Sequence, residues 1–298
     1  MPAFRAIGLI VNADDCALTP AITDGVLACI RKGRVTATGI MPNMPDFARA
    51  AALLRHEDVD VGVHLALTAG APLTRALRAH LPDGRLPGKF RLMSAFLRRR
   101  LPLALVRAEW RAQIERCLQA GLALRFANSH EHLHMWPPLF ALVCELAREY
   151  RIPHIRLSAP DGIDLGSPSG LLRDLALTAL ARRVRARVGE GIRTLPLVGL
   201  AASGRLDGAV LERLLASLPG GSVAELLCHP GYEDGGRLHR DRERRVLCDP
   251  GFPELLARYR VRLVRYRDLG EEVGRRDGRE RGDGARTPAA ERGGPGVL

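Results

Sequence analysis

The chain has very little lysine: Lys32 and Lys89 are the only two, although lysine and arginine together number 45. Aromatic residues make up 4% of its 298 residues, and its six cysteines include no CxxC pair. No apolar run reaches the roughly 18 to 20 residues that a membrane-spanning helix needs. Each absence removes a class of reading. Without a long apolar run, no transmembrane segment is expected. Cys16, Cys29, Cys117, Cys144, Cys228 and Cys248 are scattered, and several lie in apolar helical patterns. Free thiols in a reducing compartment follow, and with them a cytoplasmic location. The opening "MPAFRAIGLIVNADD" turns acidic straight after a short apolar run and lacks a small-residue cleavage site. It reads as a first strand and not as a signal peptide.

The net charge of +12 invites a nucleic-acid reading. Almost every cation is arginine, however, a bias of the kind a GC-rich genome imposes. The basic clusters (Arg98 to Arg100, Arg182 to Arg187, and the tail) lack interleaved aromatics on which bases could stack. Solvated basic faces are the expectation, and no nucleic-acid partner.

From about Gly274 the sequence is rich in glycine and charge and nearly empty of large apolar residues. Such a stretch cannot offset its ordering entropy. One catalytic domain over residues 1–272 and a disordered, basic, Gly-rich tail over 273–298 are therefore expected. Within the domain, strand-length apolar runs alternate with helical patterns. "AIGLIVNA" is followed by Thr19 as a helix cap, Pro20 at the first helical position and Gly33 past the end. Further strand candidates are "RVTATGIM", "VDVGVHLAL", "LALRFAN", "HIRL", "RTLPLV", "SVAELLCHP" and "YRVRLVRY". A long loop with Pro72, Pro82, Gly84, Pro87 and Gly88 precedes a helix from about Ala104 to Ala120. Eight strands in alternation predict an α/β fold with a parallel sheet, a (β/α) barrel that is TIM-like, distorted or incomplete.

Several polar residues then fall at strand ends. Asp14 and Asp15 follow the first strand, His64 ends the third, and the run "NSHEHLHMW" follows the fourth. Arg156 lies in the fifth strand and His229 ends the seventh. In a parallel barrel these ends share one face, where loops build the active site. In an extended segment His130, His132 and His134 would point the same way. Two of them could then share a metal, or one could bind metal while a neighbour faces substrate. Asp15, His64 and His130 together offer one carboxylate and two imidazoles, an open metal site with room for water.

The pieces "IVNADD", "GRVTATGIM", "VGVHLALTAGAPLT", "NSHEHLHMWP", "IRL" and "ELLCHPGY" resemble the YdjC-like (ChbG/HpnK) carbohydrate deacetylases, relatives of the polysaccharide deacetylases. They occur in order between residues 10 and 232. The resemblance implies a hydrolase that removes an N-acetyl group from an amino sugar and releases acetate. It implies Asp15, His64 and His130 as ligands of one divalent ion, with Asp14 as general base and His229 as general acid. Arg156 would position substrate or orient Asp14, and His132 and His134 would line the pocket or support the metal ligands. An oxygen and two nitrogens suit zinc or cobalt, while the resemblance implies magnesium in some members. The expected partner is an N-acetylated sugar, and a homodimer is compatible with the sequence. Two departures stand out: Cys16 and Ala17 replace the usual aromatic and glycine, and Asn128 stands where aspartate is common. A metal-dependent phosphoesterase and a basic nucleic-acid-binding protein are the competing readings.

Overall fold

The computed structural model describes residues 6–164, 168–232, 234–235 and 238–269. The expected tail at 273–298 lies outside the described residues. The chain divides into one unit up to Tyr266 and a second from Arg267. All that follows concerns the first unit.

The elements run β1 (Ile7–Cys16), α1 (Pro20–Arg31), β2 (Ala37–Ile40), α2 (Phe47–Leu54), β3 (Asp60–Leu65), α3 (Arg75–His80), α4 (Lys89–Leu97), α5 (Leu103–Gln119), β4 (Leu124–Ser129) and α6 (Pro137–Glu149). They continue with β5 (His154–Ile155), α7 (Pro168–Val184), β6 (Leu197–Val198), α8 (Gly208–Ser217), β7 (Val223–Cys228), β8 (Asp234–Gly235), β9 (Leu238–His239), α9 (Arg240–Leu247), α10 (Phe252–Arg258) and β10 (Val261–Leu263). A parallel sheet in the order β5-β4-β3-β2-β1-β7-β6 curls into a partial barrel with helices around it. Its two edges meet through the segment before β6, where Arg193 bridges to His154 and Leu197 pairs with Glu225. β1 is buried along all ten residues, as a central strand covered on both faces must be.

All eight predicted strands form. The eighth, however, does not sit between the seventh and the first. β1 pairs directly with β7, and β10 takes the other flank of β1 at Ile7–Leu9. The reason lies in register: β2 begins its pairing only at Asn12, so the first residues of β1 keep a free edge that Val261–Leu263 fill. The predicted first helix also forms, with Thr19 Oγ1 accepting from the Ile22 amide and Gly33 at φ 67°. The loop after β3 holds two short helices, α3 and α4, which proline and glycine signals alone did not reveal. Glu109 and Gln113, one turn apart on α5, pin the start of this loop by bonding the Leu73, Thr74 and Ala66 backbone.

Candidate active site

Neighbouring residues in a regular strand face opposite ways, yet Asp14 and Asp15 face one pocket. The pairing of β1 with β2 shifts register between Ala13 and Cys16, and Asp15 adopts φ 63°. Such an irregularity re-aims side chains at the end of a strand, and the positive φ costs energy that the surroundings must hold in place. Gly39 of β2 lies beneath them: a Cβ there would come within 3.2 Å of Asp14 Oδ1 and 3.3 Å of His64 Cβ. The glycine makes the room in which the strand ends converge.

Asp14 is surrounded by donors. Asn128 Nδ2 donates to Oδ1 at 3.0 Å, and Arg156 donates from Nη2 to Oδ1 at 3.0 Å and from Nη1 to Oδ2. Burial on its own would raise the Asp14 pKa, but Arg156, His64 and His229 outweigh it and hold the carboxyl far below the usual range. Arg156 stands one residue beyond the short β5, not within it. Its Nε donates to Glu225 Oε1 at 2.8 Å, an oxygen that also accepts from Asn12 Nδ2 at 2.8 Å. The guanidinium is wholly buried and held charged: burial alone would favour losing the proton, and the carboxylates of Asp14 and Glu225 reverse this.

Asp15 has different company. Its Oδ1 lies 3.2 Å from His64 Nε2 and 3.1 Å from His130 Nδ1, while Oδ2 accepts from Arg240 Nη2 at 2.6 Å. Its pKa is also far below the usual range, because His130, His64 and Arg240 together outweigh burial. The tautomer of His64 follows from the chain of bonds. Asn128 uses its amide nitrogen on Asp14, so its Oδ1 must accept from His64 Nδ1, 2.7 Å away. The Nε2 of His64 then faces Asp15 Oδ1, 3.2 Å away. A cation among Asp15, His64 and His130 would meet that carboxylate oxygen and a ring nitrogen from each imidazole. One ligand atom from each of the three lies within 4.8 Å of the others, the only such cluster among the described residues. The donor set fits a divalent ion.

The histidine run is not extended. Residues His130–Met135 form a 3₁₀ segment, with Glu131 at φ 54° and His132 at φ 57°. The three rings therefore part. His130 turns to Asp15. His132 is half-buried with Nδ1 3.0 Å from Ser158 Oγ, and its pKa is well below normal through burial and then the Arg156 charge. His134 is fully buried; Nε2 donates to the Arg156 carbonyl at 2.8 Å and Nδ1 meets Ser129 Oγ at 2.7 Å. Burial first, with the nearby Arg156 charge, pushes His134 down to about 4. The structure does not bring it into the cleft.

His229 stands at the end of β7 and is buried, with Nδ1 lacking a hydrogen-bond partner. Burial, reinforced by Arg240 and Arg156 against the pull of Asp15 and Asp14, lowers its pKa to about 4. Its backbone amide donates to Glu243 Oε2 at 2.6 Å. The turn that follows packs closely on α1, where a Cβ on Gly25 would fall 2.4 Å from Gly231 Cα.

Four participants escaped the sequence reading: Asn12, Glu225, Arg240 and Glu243. Glu225 was visible as a lone carboxylate inside the apolar "SVAELLC". Arg240 and Glu243 sit in "HRDRERRVL", which reads as a solvated charge run. Their one signal is spacing, since Arg240, Glu243 and Leu247 share the buried face of α9.

A family model described as YdjC-like protein matches residues 8–258. The chain belongs to the YdjC-like family. It is similar to the carbohydrate deacetylases of Geobacillus stearothermophilus (29% identical over 87% of this chain and 97% of that one) and of Homo sapiens (31%, 89% and 93%). It spans 62% of the Oceanobacillus iheyensis carbohydrate deacetylase, at 38% identity, and 57% of the one from Brevibacillus brevis. Among solved structures, an Enterococcus faecalis protein named for cellobiose-phosphate cleavage shares this fold. Its TM-score is 0.66 at 24% identity, over 89% of this chain and 99% of that one.

Proposed function

We propose that this chain is a metal-dependent carbohydrate N-deacetylase, hydrolysing the acetamide of an amino sugar to acetate and a free amine. The observation that carries the reading is the contrast at one strand end: Asp14 held ionised by Asn128 and Arg156, beside Asp15, His64 and His130 with one ligand atom from each within 4.8 Å of the others. Asp15, His64 and His130 would hold the ion, magnesium or zinc. When bound, it supplies Lewis acidity toward the amide carbonyl and lowers the pKa of water.

Asp14 would accept the proton of the attacking water, and Oδ2, with one donor against the two on Oδ1, has the lone pair to spare. Its low pKa keeps it ionised at any working pH. His229 is neutral in the resting site and would receive, through the reacting atoms, the proton that Asp14 drew from the attacking water. It then passes that proton to the departing nitrogen. His132, on Ser158 and beside the cleft, is placed to meet the sugar, while His134 holds the Arg156 backbone in position. Arg240 fixes the oxygen of Asp15 that the ion does not use. One catalytic domain in the cytoplasm completes the reading. It is supported by six buried free cysteines and by the lack, among the described residues, of a helix long and apolar enough to cross a membrane.

The test is a product assay on N-acetylglucosamine oligomers with the purified chain, before and after chelation. Acetate and free amine released in equal amounts, lost on chelation and restored by one divalent ion, is the expected result. Release of phosphate from a generic phosphate ester, with no acetate from the sugar, would overturn it.

A further inference from the structure

The stretch from Gly84 to Ala108 carries Arg85, Lys89, Arg91, Arg98, Arg99, Arg100 and Arg107 and not one carboxylate. Several exposed arginines elsewhere meet acids, as in Arg31 with Glu57, Arg49 with Asp24, Arg111 with Glu149 and Arg258 with Glu212. Within this stretch only Arg107 does so, with Glu145. Arg85, Arg91 and Arg98 to Arg100 are exposed and form no ion pair among the described residues. More than half of the net charge of +12 is thus concentrated in 25 residues.

The same stretch exposes apolar side chains. α4 fully buries only Leu92, while Phe90 is 89% and Leu97 74% exposed. Seven residues apart, they lie two turns along one face of the helix. Leu103 adds a third exposed apolar side chain at the start of α5. The opposite side of α4 is tied down: Phe96 packs edge-on against Trp136, with ring centroids 4.9 Å apart, and Lys89 Nζ donates to the Glu131 carbonyl at 3.4 Å. The outward face therefore sits beside the loop that carries His130.

We propose that α4 and the arginine run after it dock the protein on an anionic lipid bilayer. Phe90 and Leu97 enter the interfacial layer, and Arg98 to Arg100 meet lipid phosphates. Charge decides the occupant. A cationic cluster with no acid in it attracts an anionic surface, and aromatic and leucine side chains among those cations are what an interfacial helix presents. A nucleic-acid backbone would match the arginines but leave Leu97 and Leu103 in water. Docking sets the cleft mouth at the bilayer, which makes a lipid-carried N-acetyl amino sugar the substrate class. That last consequence rests on the deacetylase reading, whereas the docking does not.

The experiment is co-sedimentation of the full chain with vesicles of phosphatidylcholine alone and of phosphatidylcholine mixed with phosphatidylglycerol. The protein should pellet with the anionic vesicles, less so as salt rises, and stay in solution with the neutral ones. Arg98→Glu/Arg99→Glu/Arg100→Glu should lower the partition constant by at least roughly a hundredfold. Phe90→Ser/Leu97→Ser should also lower it, at unchanged salt dependence. Both variants should keep the wild-type Tm and turnover of a soluble N-acetylated oligosaccharide. Equal pelleting with neutral vesicles would overturn the proposal, as would wild-type binding by both variants. A concentration-dependent dimer abolished by the two serines, with no vesicle binding, would hand the face to a second copy. Duplex DNA bound through the arginines, with vesicles ignored, would hand it to nucleic acid. Vesicle binding is read without turnover, so a failed deacetylase reading leaves it standing. Equal activity of wild type and variants on a lipid-carried amino sugar in anionic vesicles would overturn the substrate class alone.

Discussion

Asp14 and Asp15 are neighbours in one strand, both buried and both held far below the usual carboxylate range, yet their surroundings differ in kind. Around Asp14 every close group donates: Asn128 and two guanidinium nitrogens of Arg156. Around Asp15 only Arg240 donates without ambiguity, and the imidazoles of His64 and His130 crowd the other oxygen. A carboxylate satisfied by donors is a fixed anion. One flanked by two imidazoles is half of a coordination site. Depressed pKa values alone could not separate the two, because opposite charges lower both; the kind of partner does.

The largest effects should follow from breaking that contrast. Asp15→Asn should abolish stoichiometric metal binding and cut kcat/KM by 10³-fold or more. Asp14→Asn should lose a comparable rate while retaining metal, because Arg156 and Asn128 lie outside the ligand set. Metal content by atomic emission, beside the rates, reads both variants. Loss of metal from Asp14→Asn would show that the pair acts as one ligand unit.

Next is Arg156, which compensates Asp14 and Glu225 together. Removing one member of a buried ion network leaves the others uncompensated, at about 3–5 kcal/mol. Arg156→Met should show that loss in urea unfolding, and Arg156→Met/Glu225→Gln should recover part of it. An unchanged midpoint would mean that water enters the network. Arg240→Met removes the partner of Asp15 Oδ2 and should be milder, weakening metal affinity by roughly 10–100-fold, as removing a group that orients a ligand does. Competition with a fluorescent chelator measures it, and unchanged affinity would detach Arg240 from the site.

Much of this arrangement was legible before any coordinates. Apolar runs marked the strands, and a parallel sheet sends its strand ends to one face, so Asp14, Asp15, His64, His130 and His229 could be placed together by counting. Geometry within the runs was not legible. "HEHLHM" alternates as a strand would, and only the left-handed backbone at Glu131 and His132 sends its three histidines to three destinations. The position of β10 depends on where β2 starts to pair, which no local pattern encodes. Arg240 was hidden because a buried cation paired with a distant carboxylate has the same local sequence as a solvated one.

Away from the site, His154 tests whether buried neutral imidazoles behave as their surroundings require. It is 4% exposed, and burial, with the Arg193 charge behind it, lowers its pKa from 6.5 to about 4. The unfolded chain therefore binds more protons than the folded one between those values, so stability falls as pH drops from 6.5 toward 4. Across that window the loss approaches about 3 kcal/mol, at 1.36 kcal/mol per pKa unit. His154→Gln should flatten the dependence of the unfolding free energy on pH. An unchanged slope would assign the acid sensitivity to other groups.

The smallest effect concerns the turn just after the two aspartates. Ala17 holds φ 75° and is wholly buried. A left-handed alanine costs roughly 1–2 kcal/mol. Ala17→Gly removes that cost. It also gives up one buried methyl, about 0.8 kcal/mol, and adds about 0.4–1 kcal/mol of unfolded-chain entropy. The two sides nearly cancel, so the stability should move by less than about 1 kcal/mol. Ala50→Gly is the control. Ala50 is equally buried but lies inside α2, where nothing offsets the lost methyl and the helix penalty, so its loss should be about 2 kcal/mol. Urea unfolding of both variants separates the cases. If Ala17→Gly costs as much as Ala50→Gly, the strain at Ala17 is absent, and the sharp corner that turns Asp14 and Asp15 into one pocket is held without it.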